Sequence, residues 1–450
     1  MTSRAPIVQA DIDLTREVSA DPPVETRRRA LTALFAGAAL MHTALIGAST
    51  VATLVAAQAI GYSWSGAPNA AAVMGTALGT LALGSLMIRW GRRRALLLGY
   101  ALASLGAVLA IWAVLSGTVA FLVVAMGFIG VGNGAAQMSR YAAADLYPAA
   151  RRGFALGTVV WAGTVGAVVG PSLIAPAADA ARALDFVPLA GPFLAGLVAM
   201  LGAELAVGLM PRHKNLEATR TSELPKGRGS DHRTGEGPRV LMRLPVVRVA
   251  LTAMLSTQLA MVAVMTMTPL HIHLHGRGLA TTGGVLTAHS LGMFALSPLS
   301  GRLTDRFGGR VTIVGGLVTL VVSALLTVTA PAGGSALLTF SLFLLGLGWN
   351  LNLVGGSGLL SRELPEAERT RVQGTVDAFV WGSSAVASLA SGWIFATGGY
   401  AFLAVAGGAL MLFPAAVILH ERRLGGPLLA PRSEGRKGKV ASCSSEPWRM

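Results

Sequence analysis

Ionisable side chains cost several kcal/mol in hydrocarbon, so each one inside an apolar stretch is a candidate for chemistry. Asp377 stands in RVQGTVDAFVW, about a turn and a half inside an apolar run. An acid there suits a proton carrier or gate, or it pairs with Arg140 or a neighbouring arginine. Glu204 lies about two turns from the end of another run, where it snorkels, pairs with Arg140, or carries a proton. His42 and His289 also lie in apolar runs and suit either proton exchange or a hydrogen-bonded packing role.

Two denser patterns point to other chemistries. His271, His273 and His275 form HxHxH, a spacing that holds zinc or copper, but no nearby cysteine or carboxylate completes a site. An interfacial histidine cluster is the commoner meaning, and no metal is assigned. Gly355-Gly356-Ser357-Gly358 fits the GxSG pattern of rhomboid intramembrane proteases, which need a histidine on a later helix. The only later one, His420, lies at the final apolar boundary, so no enzyme activity is expected. No nucleotide-binding motif is present, which argues against ATP-driven work.

The elements that must position these groups are membrane spans. The chain is 53% hydrophobic and 13% charged. A bilayer crossing needs about 20 mostly apolar residues. Twelve stretches qualify: 31–58, 70–88, 95–115, 119–142, 153–175, 188–210, 247–270, 281–300, 311–330, 335–359, 372–395 and 400–419. The net charge of +15 does not indicate nucleic acid. Lys and Arg fill alternate loops, and the other side holds only Arg182 and Arg277. That asymmetry predicts cytoplasmic termini and makes the charge chiefly topogenic. No cleavable signal is apparent, and the single cysteine, Cys443, excludes an intrachain disulfide. The Arg, Ala and Gly bias is consistent with a GC-rich bacterial genome.

The spans repeat. Gly84 and Gly301 are 217 positions apart, and the same offset relates Arg89 to Arg306, Gly91 to Gly308, Arg93 to Arg310, Gly99 to Gly316 and Gly157-Thr158-Val159 to Gly374-Thr375-Val376. A fixed offset over that length means a duplicated half, and in a membrane protein this points to transport. The expected organisation is a cytoplasmic tail (1–29), a six-helix half (30–210), a polar cytoplasmic linker (211–246), a second six-helix half (247–420) and a cytoplasmic tail (421–450). Two halves in the same orientation are related by an axis along the membrane normal, with a binding site between them near the midplane.

These features resemble the major facilitator superfamily over about residues 30–420. GRLTDRFGGR, with Gly301, Asp305, Arg306, Gly308 and Arg310, is similar to the family's cytoplasmic signature. The upstream GSLMIRWGRR keeps Gly84, Arg89, Gly91, Arg92 and Arg93 but has Ile88 where the family has Asp. A carboxylate in such a turn can face a helix N-terminus and its arginines can pair across the halves, so Asp305, Arg306 and Arg89 are the expected gate; a solvated basic turn is the alternative. GAVVGPSLIAP resembles the family's antiporter motif through Gly166, Gly170 and Pro171, without its trailing glycine pair. The resemblance implies export, with a bend at Gly170-Pro171 between the halves, while GxxxG also serves plain packing. The family's intramembrane arginine of helix 4 is replaced by Met126 when aligned on Gly130, and Arg140 lies further down the same helix.

The family's cavity is lined by helices 1, 4, 7 and 10, where this chain offers His42, Asn133, Gln137, Gln258, Met261, Met265, Trp349, Asn350 and Asn352. Methionine, tryptophan and a few amides make an adaptable, mostly apolar pocket, although methionines also simply pack. The expectation is an all-α, twelve-helix secondary transporter of the plasma membrane that exports a hydrophobic or amphiphilic small molecule in exchange for protons. It needs no bound cofactor beyond the proton gradient. Its partners are the bilayer and the solute, and it works as a monomer. Proton-linked uptake of a metabolite is the alternative. A transporter-like sensor or scaffold is disfavoured by the short polar linker.

Overall fold

The computed structural model describes residues 24–60, 66–211, 244–276, 279–330, 336–364 and 366–423. Most of both tails and of the linker lies outside the described residues, as do Cys443 and the side chain of His273. Among the described residues the secondary structure is helical, with no strand. The first half comprises α1 (Val24–Ile60), α2 (Ala67–Trp90), α3 (Arg92–Ser116), α4 (Val119–Ala144), α5 (Arg152–Ser172), a short α6 (Ile174–Ala183) and α7 (Gly191–Gly208). The second comprises α8 (Pro245–Leu274), α9 (Leu279–Phe294), α10 (Ser297–Phe307), α11 (Gly309–Thr329), α12 (Ala336–Glu363), α13 (Glu366–Leu410) and α14 (Leu412–Arg423).

Among the described residues ten helical segments are long and apolar enough to cross a bilayer. The last of them turns back at Gly399, whose φ of 73° only glycine adopts without strain. One expected span, 281–300, is split instead into α9 and α10. Pro298 stands at the start of α10 and has no N–H to give the Phe294 carbonyl. The Ser297 hydroxyl donates to that carbonyl at 2.7 Å, and Asn350 Nδ2 donates to the Met293 carbonyl at 2.6 Å. With the turn at Gly399 and this interrupted rod, the architecture is consistent with twelve passes in two six-helix halves.

The repeat is visible in the backbone. Gly91 between α2 and α3 has φ 84° and ψ 159°; Gly308 between α10 and α11 has φ 88° and ψ 155°. A Cβ on Gly308 would meet nothing within 4 Å, so conformation alone demands glycine there. The repeat also sets helix packing. Asn133 on α4 donates to Thr76 of α2 at 3.1 Å, and its repeat mate Asn350 on α12 donates to Ser297 at 2.6 Å.

The two halves meet on the side that carries the basic turns. There α2 packs on α13 and α5 packs on α10, whereas α1 and α8 make little contact. Glycines permit the approach. A Cβ on Gly374 would lie 2.7 Å from the Thr80 carbonyl oxygen, and one on Gly157 would fall on the carbonyl oxygen of Ser297. Thr80 and Ser297 are themselves repeat mates, so one contact is used twice.

Candidate functional site

The helix ends that close the basic side carry a buried polar network. Arg140, one turn inside α4, is 1% exposed, and Asp377 on α13 is fully buried. One guanidinium nitrogen of Arg140 donates to both carboxylate oxygens, at 2.7 and 2.8 Å. Its Nε donates to Ser357 on α12 at 3.2 Å, and its other nitrogen donates to the Gln137 carbonyl and Oε1, both at 2.8 Å. Tyr141 donates to Asp377 at 3.1 Å and lies under the guanidinium, 4.5 Å from ring centroid to Cζ. Every strong donor of this arginine is thus occupied, as a buried charge requires. Arg140 and Asp377 belong to different halves, so this is an ionic latch between them.

Toward the middle of the bundle the latch continues. Gln137 Nε2 comes within 3.5 Å of His42 Nε2, and His42 Nδ1 lies 2.6 Å from the Ala38 carbonyl. A matching chain lies in the second half: Trp349 donates to Gln258 Oε1 at 2.7 Å, and Gln258 Nε2 donates to Ser384 at 2.8 Å. Phe294 bridges the two, with ring centroids 6.4 Å from His42 and 5.9 Å from Trp349. Its position follows from the break between α9 and α10. Met261 is buried on α8 and Met265 is half-buried one turn further along.

Nearer the basic surface further polar contacts join the halves, among them Arg152 of α5 donating to the Ser361 carbonyl of α12 at 2.5 Å. Both oxygens of Asp305 accept backbone N–H bonds at the start of α5, from Gly153 and Phe154, each at 2.8 Å. Asp305 lies beyond the apolar stretch of its rod. Burial pushes its carboxyl above the ordinary value, against the two amide bonds and Arg362. At the repeat-related place Ile88 is exposed and offers no such group. There Asp145 at the end of α4 pairs with Arg92 and, at 3.2 Å, with Arg369 of the other half, while Arg92 also donates to Thr370.

Several expected site residues lie elsewhere. Arg89 and Arg306 are exposed and among the described residues make no ion pair across the halves; Arg306 lies over its neighbour Phe307, and Arg92, three residues beyond Arg89, makes the cross-half contact instead. Glu204 does not pair with Arg140, which is committed to Asp377. Gly166 and Gly170 face α1, at His42 and Thr43–Ile46, inside their own half. Pro171 is the second-last residue of α5, which breaks at Leu173 before α6 begins, and the adjacent Gly170 faces α1 rather than the other half. Asn133 and Asn350 are buried and donate to neighbouring helices, and Asn352 is buried and donates within its own helix. His289 is buried against the Leu342 carbonyl at 2.9 Å. Among the described residues no cluster could hold a metal; His271 stacks on Tyr400 at 4.2 Å. Tyr141, Phe294, Asp145 and Arg369 were not foreseen, and Arg92 was read only as a motif arginine, not as part of the gate. Ser357 was seen only as part of GxSG, although it is the repeat mate of Arg140.

Two repeated helical halves, shut on one face and joined through a buried ion pair, are the parts of a secondary transporter. The family model of the Major Facilitator Superfamily matches residues 31–286 and 275–449, and the chain belongs to that family. It is 33% identical over 393 residues to the uncharacterized MFS-type transporter YdeG of Bacillus subtilis (strain 168), covering 87% of this chain and 90% of that one. It is 29% identical over 331 residues to the riboflavin transporter RfnT of Brucella anthropi, covering 73% of this chain and 79% of that one. Among solved structures the proton:xylose symporter XylE superposes with a TM-score of 0.70 at 18% identity, over 88% of this chain and 96% of that one.

Proposed function

We propose that the protein exports a hydrophobic or amphiphilic small molecule in exchange for protons, by alternating access. The observation that carries this reading is the Arg140–Asp377 pair between the halves. Opening the basic side separates the pair and leaves two buried charges unpartnered, at a cost of several kcal/mol. A proton on Asp377 removes one of those charges and lowers that cost. In this scheme a proton enters from the outer side and reaches Asp377 past His42 and Gln137. The latch then opens inward, and the proton leaves as cargo binds. The basic side is the cytoplasmic one, and the shut arrangement is the outward-facing state. Both tails and the 211–246 linker are cytoplasmic, and the chain works as a monomer in the plasma membrane. Phe294 against Trp349, with Met261 and Met265 on α8, makes the chemistry between the two polar chains mainly apolar, which suits such a cargo. The likeness of Gly166, Gly170 and Pro171 to the antiporter motif supports export.

The riboflavin transporter among the relatives favours a second reading, uptake of a flat heteroaromatic metabolite received between His42, Phe294 and Trp349. A solute panel in an efflux-deficient host, with and without a protonophore, separates the two directions. Asp377→Asn is expected to abolish proton-driven transport. Transport with unchanged rate and pH dependence in that variant would remove Asp377 from the mechanism.

A further inference from the structure

On the basic face both halves line an open pocket of about 580 Å³, separate from the buried polar network. Five arginines line it: Arg27, Arg28 and Arg151 from the first half, Arg302 and Arg306 from the second. Asp305 is the only carboxylate among its lining residues, and both its oxygens are already held by the Gly153 and Phe154 amides. Two of the guanidinium groups are held by aromatic faces, Arg27 over Tyr147 at 5.7 Å and Arg302 over Phe154 at 5.3 Å. Arg28, Arg151, Arg302 and Arg306 are exposed.

A concave surface with four exposed guanidinium groups, two from each half, against one committed carboxylate among its lining residues focuses a strong positive potential. Guanidinium forks match phosphate oxygens, and several of them together select an anion of more than one charge. The volume is that of a small-ligand site. The charges come from both halves, so their mutual repulsion works against closure on this face. A bridging anion reverses that effect.

We propose that this pocket binds a polyvalent phosphate group and that the bound anion clamps the halves together on the basic side. It therefore stabilises the state seen here over the state open on this face. By linkage, the anion binds more tightly to the clamped state by the same factor that it favours that state. The phosphates come either from an anionic lipid headgroup or from a soluble diphosphate, and the two are separable.

The test uses the full chain, purified in neutral detergent at low salt and titrated with inorganic pyrophosphate while the unfolding midpoint is followed. A parallel arm compares phosphatidylcholine vesicles with and without cardiolipin. Arg302→Gln/Arg306→Gln and Arg28→Gln/Arg151→Gln weaken the pocket from either half. Arg94→Gln/Arg371→Gln removes equal charge from exposed positions outside it. Wild type and the control pair are expected to be stabilised by pyrophosphate or by cardiolipin, the responding arm naming the source. Either pocket pair should need at least tenfold more ligand. If a Gln pair does not fold, Arg302→Lys/Arg306→Lys keeps the charge, loses the fork, and should still bind several-fold more weakly. An equal response of pocket and control variants, or no stabilisation of wild type in either arm, overturns the proposal.

Discussion

Arg140 and Asp377 are coupled through the shortest polar contact between the halves that involves two fully buried charges, and the coupling is measurable. Arg140→Gln strands the carboxylate that Arg140 now pairs, and Asp377→Asn strands a guanidinium. Each single change should cost about 3–5 kcal/mol of stability, because an unpaired buried charge remains. The double variant should cost much less than the two added together, since neither charge is left. Unfolding midpoints of the four proteins give the coupling, and strict additivity would mean the pair does not act as a latch. Asp305 makes a different prediction. Burial raises its carboxyl above the ordinary value, so its contribution to stability is fully present below that ordinary value and is lost as pH rises through the raised one. Stability of the wild type should therefore fall, relative to Asp305→Asn, as pH climbs from the acid side toward neutral. A pH-independent difference between the two would contradict this.

At the scale of elements, the seal depends on the crossings of α2 with α13 and of α5 with α10. Gly157 and Gly374 each lie against a carbonyl of the opposite half, so even one methyl group is too large. Gly157→Ala should leave the helices of the first half intact and yet prevent full closure. In a Cys443→Ser background, a cysteine replacing the buried Thr370 on the sealed face reports this. Its labelling by a maleimide should rise several-fold with Gly157→Ala, and unchanged labelling would show that the crossing yields elsewhere. The duplication behind these crossings was legible in the sequence, because Gly84 with Gly301 and Gly157 with Gly374 share one offset, but that these glycines meet the opposite half was not. The turn glycines Gly91 and Gly308 were legible for the same reason. The split of α9 from α10 was not, although Pro298 marks it, because a proline inside an apolar run signals a bend without saying what satisfies the freed carbonyls. For Asn133, Asn350 and Asn352, helical periodicity places a side chain on a face but does not say which neighbour that face meets. Arg92 was missed beside Arg89 for a similar reason: three residues across a turn decide which arginine reaches the other half.

For the whole molecule, the two halves share a scaffold but differ in their acids. Asp305 and Asp377 both belong to the second half, where their repeat mates are Ile88 and Val160. Asp145 compensates near Ile88 by drawing Arg92 and Arg369 together. Under the proposed exchange mechanism, a shared scaffold rocks symmetrically while the proton-carrying acid belongs to one half. A symmetric scaffold also predicts the state that is not seen. If the halves pivot about the central network, opening the basic ends must bring the outer ends of α1 and α8 together. Thr50 on α1 and Met267 on α8 are related by the 217-residue offset, so a two-fold motion moves them toward each other. Thr50→Cys/Met267→Cys, in the Cys443→Ser background, should form little cross-link at rest. Cross-linking should rise when the latch is released by Asp377→Asn, and the linked protein should show Thr370→Cys labelled from the basic side. Efficient cross-linking in the wild type, or none after the latch is released, would show that the two halves do not exchange access by this symmetric rocking.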